Sequence, residues 1–212
     1  MSSLANVSQL TYHRDKQLYH LPLGQGDSRA SKPLMHKITH SPYQFITRSA
    51  AQTQAVGQRL GQLLQPGQVI ALHGELGAGK TRLTQGMAVG LGITSRVTSP
   101  TFTLVNEYAI ANNSRLVHID SYRLGENVAD STREAAGLGL EEILDDAHAI
   151  VIIEWAARVA ALLPPDHLAI TLAALQQDES WRQISLTAHG PISSALLQAF
   201  VQSIEDQSSS SH

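Results

Sequence analysis

The stretch that decides the fold is VIALHGELGAGKT, residues 69–81. Val69 to Leu72 is a short apolar run of strand length, and Gly74, Gly79, Lys80 and Thr81 then satisfy the pattern GxxxxGK[ST]. A helix is expected from about Lys80 to Leu91, closed by Gly92. Strand, glycine-rich loop and helix in this order are what a phosphate-binding loop requires. Successive backbone N–H groups point inward at an anion, with Gly77 adding freedom where the chain must curl. The positive end of the following helix faces the same anion, and the Lys80 ammonium reaches toward β and γ phosphates. The Thr81 hydroxyl is the expected protein ligand of Mg²⁺. Residues 74–81 therefore predict a site for Mg-ATP.

Outward from this loop, apolar periodicity alternates between strand and helix. Gln44 to Thr47 predicts a strand, and Ser49 to Leu64 a helix with Val56, Leu60, Leu63 and Leu64 on one face and Ser49 as N-cap. Phe102 to Ile110 and Leu116 to Ile119 predict two strands joined at Asn112 and Asn113, a hairpin beside a parallel core. Ile150 to Ile153 is wholly apolar, as a strand buried on both faces would be, and a helical stretch from Trp155 runs to Pro164 and Pro165. His167 to Leu172 and Arg182 to Thr187 predict further strands, and Ser193 to Ile204 a packing helix. The expected fold is α/β, a three-layer sandwich of the P-loop NTPase kind, its mixed sheet having a parallel core and an antiparallel hairpin. Residues 1–42, polar and interrupted by Pro22, Pro33 and Pro42, are expected to be a mobile extension, 43–204 the ATPase domain and 205–212 a polar tail.

Composition narrows the possible roles. Of 212 residues, 42% are hydrophobic and 16% charged, enough apolar material for one packed domain. With no cysteine, disulfides and thiolate metal sites are excluded, and nothing calls for an oxidising compartment. There is no signal-peptide core or bilayer-length apolar run, so a cytoplasmic protein without membrane contact is expected. A net charge of −3, from 15 basic and 18 acidic residues, argues against broad binding to a nucleic-acid backbone. Ten scattered histidines form no HExxH pattern.

Two carboxylates complete the candidate chemistry. Asp120 and Glu154 each follow a hydrophobic strand, and ligands of parallel α/β sheets bind at that edge. One would serve Mg²⁺, with Glu154 preferred; the other, Asp120, would orient the attacking water, although the residues alone allow the roles to be exchanged. Thr101, in a loop with Ser99 and Pro100, could sense the γ phosphate or simply bond its own backbone. Trp155 could stack on a base or a partner, or pack in the core.

Taken together and in order, GELGAGKT, SPTFTLVNEY, HIDSYRL and IIEW resemble the TsaE (YjeE) family of bacterial ATPases over about residues 43 to 190. The resemblance implies a part in forming threonylcarbamoyladenosine at position 37 of tRNAs reading codons that begin with A. The implied partners are TsaB and TsaD, with TsaC or a relative supplying the activated intermediate and tRNA met only through the complex. Carried over by motif, Glu75, Leu76, Gly77, Ala78, Gly79, Lys80 and Thr81 bind the phosphates of ATP, and Thr81 and Glu154 serve Mg²⁺. Asp120 is then the hydrolytic carboxylate, assisted by Lys80, with Thr101 and Trp155 in supporting roles. One departure from the family pattern is ENVADSTREAAGLGLEEILDD, residues 126–146, longer and richer in alanine, in which Glu134 is the counterpart of an acidic helix. Two rival readings use the same residues: a small-molecule kinase with Asp120 activating a substrate hydroxyl, and a module regulated by ATP binding alone. A GTPase is disfavoured, because neither NKxD nor a DxxG switch motif occurs.

Overall fold

The computed structural model describes residues 11–14, 17–18, 43–125 and 127–209. Nine strands form one sheet: β1 (Thr11–Arg14), β2 (Gln17–Leu18), β3 (Tyr43–Thr47), β4 (Val69–His73), β5 (Val105–Ile110), β6 (Ser114–Asp120), β7 (Ala149–Glu154), β8 (Leu168–Leu175) and β9 (Asp178–Ala188). Their order is β2-β1-β3-β9-β8-β4-β7-β6-β5. The centre, β8-β4-β7-β6, is parallel. Antiparallel pairs flank it, β5 on β6 at one side and β9 on β8 at the other, so the expected mixed sheet with its hairpin is present.

Helices α1 (Ala50–Gly61), α2 (Lys80–Gly90), α3 (Val128–Gly137), α4 (Leu140–Leu144) and α5 (Pro191–Ser209), with a 3-10 segment at Ala156–Leu162, cover the sheet. Side chains alternate across a strand, so each central strand feeds two cores. Ile70, Leu72, Leu116, Ile150 and Ile152 meet Leu60, Leu83, Met87 and Phe200 from α1, α2 and α5. Val69, Ala71, Val117, Val151 and Ile153 meet Ala135, Leu140, Leu144 and Val159 on the other face. Burial on both faces is why β7, AIVIIE, is apolar without interruption until its last residue. No helix among the described residues is long and apolar enough to cross a membrane.

The helix of the glycine-rich loop is seated on α1 by backbone. Gly57 and Gly61 on α1 face Gly86 and Gly90 on α2, each pair four residues apart and hence on one face. A Cβ at Gly57 would lie 2.2 Å from the Leu83 carbonyl oxygen, and one at Gly86 2.1 Å from that of Gln54. Only residues without a side chain allow the two helices this close, and the contact fixes α2 against the sheet.

Three elements depart from expectation. The strand expected from Phe102 starts at Val105, because Leu104 N–H bonds the Pro100 carbonyl at 2.6 Å and Leu104 adopts a left-handed φ of 64°. Phe102 is consequently 85% exposed, so its apolar character misread a turn as strand. The stretch after Trp155 is 3-10 helix, broken at Val159. The last helix begins at Pro191, where proline is suited to a first helical position, and continues past Ile204 to Ser209, aided by Gln202 Nε2 donating to Asp206 Oδ1 at 2.8 Å. It thus enters the expected tail of 205–212, whose last three residues lie outside the described ones. Of the expected extension 1–42, β1 and β2 are described, and its remaining residues lie outside the described set.

Candidate functional site

The loop between β4 and α2 has three glycines at positive φ: Gly74 at 135°, Gly77 at 77° and Gly79 at 102°. At Gly74 any side chain would also strike the Leu172 carbonyl oxygen of β8, 2.3 Å from the Cβ position. These conformations, which favour glycine, bend residues 74–79 over the N-terminus of α2. Glu75 contributes its carbonyl, which accepts Ala78 N–H at 3.1 Å, whereas the Leu76 side chain is 78% exposed.

Lys80 is buried under this loop. Its Nζ donates to the carbonyls of Gly74 (2.6 Å) and Glu75 (3.0 Å) and lies 3.8 Å from the centre of the Trp155 ring. Burial pushes the ammonium below its ordinary pKa, while the charges of Glu154, Asp120 and Glu75 pull it back upward.

Parallel register brings the acids alongside. Glu154 ends β7 opposite Leu72 of β4, and Asp120 ends β6 opposite Glu154. Both are 2% exposed, on the sheet face that carries α2. Glu154 Oε2 accepts the Thr81 hydroxyl at 2.9 Å, and Oε1 accepts His118 Nε2 at 2.8 Å. His118 is fully buried, and its Nδ1 has no hydrogen-bond partner among the described residues. Asp120 Oδ2 accepts both Ser99 Oγ (2.6 Å) and Thr101 Oγ1 (2.7 Å), and Oδ1 accepts Tyr122 N–H at 3.0 Å. The turn at Pro100 is what folds the Ser99 and Thr101 hydroxyls onto one carboxylate oxygen.

Trp155 sits immediately after Glu154 in a left-handed conformation, φ 60°. The buried Ser121 holds it there, its hydroxyl donating to the carbonyls of Glu154 and Trp155, both at 3.0 Å. The indole is half-buried against Tyr122, ring centres 4.9 Å apart, with its face on the Lys80 ammonium. Glu134 reaches back to the end of β6, where its Oε2 accepts Gly125 N–H at 3.0 Å. Lys80, Thr81, Thr101, Asp120, Glu154 and Trp155 are thus brought to one edge of the sheet.

Four contributors were not singled out from the sequence: His118, Ser99 as a partner of Asp120, Ser121, and Arg182 from β9, which grips the outside of the loop. For His118 a signal was available, since it lies two residues before Asp120 and so on the same strand face. Ser121 and Arg182 depend on backbone contacts across the fold, which no spacing encodes.

The donor set can be tested against Mg²⁺. Among the described residues, no group of three or more His, Cys, Asp or Glu could hold a metal unaided. Mg²⁺ on a nucleotide needs only one or two hard protein oxygens, the remainder coming from phosphates and water. Thr81 and Glu154, already side by side, fit that requirement and are the residues that would hold it.

Comparison with known proteins agrees in extent with this architecture. Residues 47–184 match the family model "Threonylcarbamoyl adenosine biosynthesis protein TsaE". The tRNA threonylcarbamoyladenosine biosynthesis protein TsaE of Bacillus subtilis is 38% identical over 146 residues, 68% of this chain and 84% of that protein. Its counterpart in Treponema pallidum is 39% identical over 130 residues, 61% of this chain and 90% of that one. Among solved structures, the crystal structure of YdiB from Bacillus subtilis superposes with a TM-score of 0.64 at 29% identity, covering 78% of this chain and 98% of that one.

Proposed function

Since the chain belongs to the TsaE family of threonylcarbamoyladenosine biosynthesis proteins, we propose that it is the ATP-binding and ATP-hydrolysing component of that tRNA modification, acting in the cytoplasm with TsaB and TsaD. The observation that carries this reading is the Thr81–Glu154 contact at 2.9 Å, directly beneath a glycine-rich loop and one strand from Asp120. It sets a cation-binding pair, a buried lysine and a second carboxylate within one site.

In this reading, Lys80 leaves the carbonyls of Gly74 and Glu75 and transfers its donors to the β and γ phosphates. Amides of residues 75–81 receive the remaining phosphate oxygens at the helix N-terminus. Thr81 and Glu154 would hold Mg²⁺, which when bound would supply positive charge against the polyphosphate. Asp120 exchanges a hydroxyl of Ser99 or Thr101 for the attacking water and orients it in line with the γ phosphate. Bond breaking to the ADP oxygen completes hydrolysis, with loop amides and Lys80 stabilising the leaving group.

Turnover by the isolated chain is slow in this reading, because three arginines near the site, Arg123, Arg158 and Arg182, are engaged with other groups. Arg123 lies over the Phe102 ring at 4.3 Å, Arg158 donates to the carbonyls of Leu124 and Gly125, and Arg182 faces the outer side of the loop. An arginine supplied by a partner is worth about 10³–10⁵ in rate in other P-loop enzymes.

The test is a pair of substitutions. Lys80→Ala abolishes productive Mg-ATP binding in calorimetry, while Asp120→Ala retains affinity and loses turnover about a hundredfold or more. Native-like affinity in Lys80→Ala would sink the proposal. Restoration of tRNA modification in cells lacking TsaE checks the biological assignment.

A further inference from the structure

The glycine-rich loop is held on both sides: Lys80 takes the carbonyls of Gly74 and Glu75 from within, and an arginine from a distant strand takes those of Gly77 and Ala78 from without. Arg182 Nε donates to the Ala78 carbonyl at 3.0 Å and Nη2 to the Gly77 carbonyl at 3.1 Å. A third nitrogen, Nη1, donates to the carbonyls of Glu179 and Trp181 and so fixes the guanidinium to its own strand. Alternation explains the aim. Ile184 and Leu186 lie in the core under α1 and α2, and Arg182 continues the same face of β9 just past the end of that core. Its neighbours are Thr47 of β3 and Ala174 of β8, which places it beside the loop, 104 residues away in sequence from Ala78.

We propose that Arg182 is a positioning residue that shapes the phosphate-binding loop, turning the Gly77 and Ala78 carbonyls outward so that the following amides turn inward, Ala78 N–H onto the Glu75 carbonyl at 3.1 Å and Gly79 N–H toward the phosphates. A peptide unit is planar with its C=O and N–H on opposite sides, so gripping two consecutive oxygens from outside orients the following two N–H groups inward. Gly77 and Gly79 are both at positive φ and nothing lies within 4 Å of where a Gly77 Cβ would be, so this corner is held by the buried Ala78 side chain, the Ala78 N–H bond to Glu75 and the Arg182 fork. A planar fork suits two neighbouring acceptors in a way that a lysine cannot. Among the described residues Arg182 makes no ion pair, and its three guanidinium nitrogens all donate to backbone carbonyls.

This inference rests on the nucleotide reading above, and one experiment separates the two. The affinities of the native chain, Arg182→Ala and Arg182→Lys for ATP, ADP and AMP are measured by calorimetry with Mg²⁺, alongside thermal unfolding. Amide exchange of residues 77–79 is followed without nucleotide. If the native chain binds no ATP, the nucleotide reading itself fails. If it binds, Arg182→Ala should lose at least about tenfold in affinity for ATP and ADP and much less for AMP, because the loop amides cradle the β phosphate, which AMP lacks. Exchange at Ala78 and Gly79 should quicken. Arg182→Lys, which keeps the charge and the fold without the fork, should recover less than half of that loss on a logarithmic scale, and it decides the matter if the alanine variant does not fold. Unchanged ATP affinity in a folded variant, equal losses for all three nucleotides, or full rescue by lysine would each overturn the proposal.

Discussion

Glu154 has a neighbour on each oxygen, Thr81 on one side and His118 on the other, and on the proposed function its behaviour as a Mg²⁺ ligand would depend on both. Removing the imidazole leaves one carboxylate oxygen buried with no donor, at a cost of about 1–3 kcal/mol. His118→Ala should therefore unfold at lower urea concentration. It should also need about 10–100-fold more Mg²⁺ for half-maximal ATP binding, the usual effect of losing the partner that orients a metal ligand. His118→Gln retains a donor and should recover part of the loss; an unaltered Mg²⁺ requirement in both variants would mean that the imidazole only fills space. The two acids were legible in the sequence because each closes an apolar run, and the loop because its glycines, lysine and threonine have a fixed spacing. Spacing puts His118 on the face of Asp120, but its bond to Glu154 depends on the β6–β7 register, and the bonds of Ser99 and Thr101 to Asp120 arise from a turn that apolar alternation conceals.

For whole elements, periodicity gave most of the order from β3 to α5, including the hairpin of β5 and β6, but not α3 and α4, nor the strands β1 and β2 within the expected extension. What periodicity missed was set by contacts between elements. The turn at Leu104 follows from the bonds around Asp120, and the 3-10 geometry after Trp155 follows from a left-handed residue pinned by Ser121. The α1–α2 contact is a third example, since its four glycines read individually as helix-weakening. Gly86→Ala gains about 1 kcal/mol in helix propensity. That gain is outweighed, because the new methyl carbon meets backbone, the Gln54 carbonyl oxygen at 2.1 Å, which no rotamer change can relieve. Net destabilisation of about 1–3 kcal/mol is expected in chemical unfolding, with weaker nucleotide binding as α2 shifts. Gly137→Ala, in α3 where nothing lies within 4 Å of the Cβ position, should instead be neutral or stabilise by up to about 1 kcal/mol. If both variants behave alike, close approach is not what holds α2.

At the scale of the molecule, α5 closes the fold over the far end of the sheet. Leu196, Leu197 and Phe200 enter the core, Phe200 meets Phe45 of β3, and Arg59 of α1 donates to the Ser203 carbonyl at 3.1 Å. Its first turn is capped from a distance: Asp166 accepts Ile192 N–H at 2.7 Å and Ser193 N–H at 2.9 Å. Burial alone would raise the Asp166 pKa, but the bonds from Ser193 and Ile192 and the neighbouring His167 outweigh it and hold the value below the ordinary carboxylate range. A carboxylate depressed in the folded state stabilises fully above its unfolded value, and that contribution is lost as pH falls through the lower folded value. Asp166→Ala should cost about 1–2 kcal/mol near neutral pH, and its difference from the native chain should shrink below about pH 4. A gap in unfolding free energy that stays constant down to strong acid would show that the carboxylate's charge is irrelevant to the cap.

The resting contacts of Lys80 bear on how any anion enters. An ammonium already satisfied by two carbonyls and an aromatic face is no bare charge waiting for a guest. Entry is then a swap of partners, whose heat records only the difference between old and new bonds. A newcomer must outbid the protein's own oxygens, and a single phosphate has little with which to do so. On the proposed function, a loop whose lysine is already partnered would favour a long polyphosphate chain before any contact to sugar or base is made.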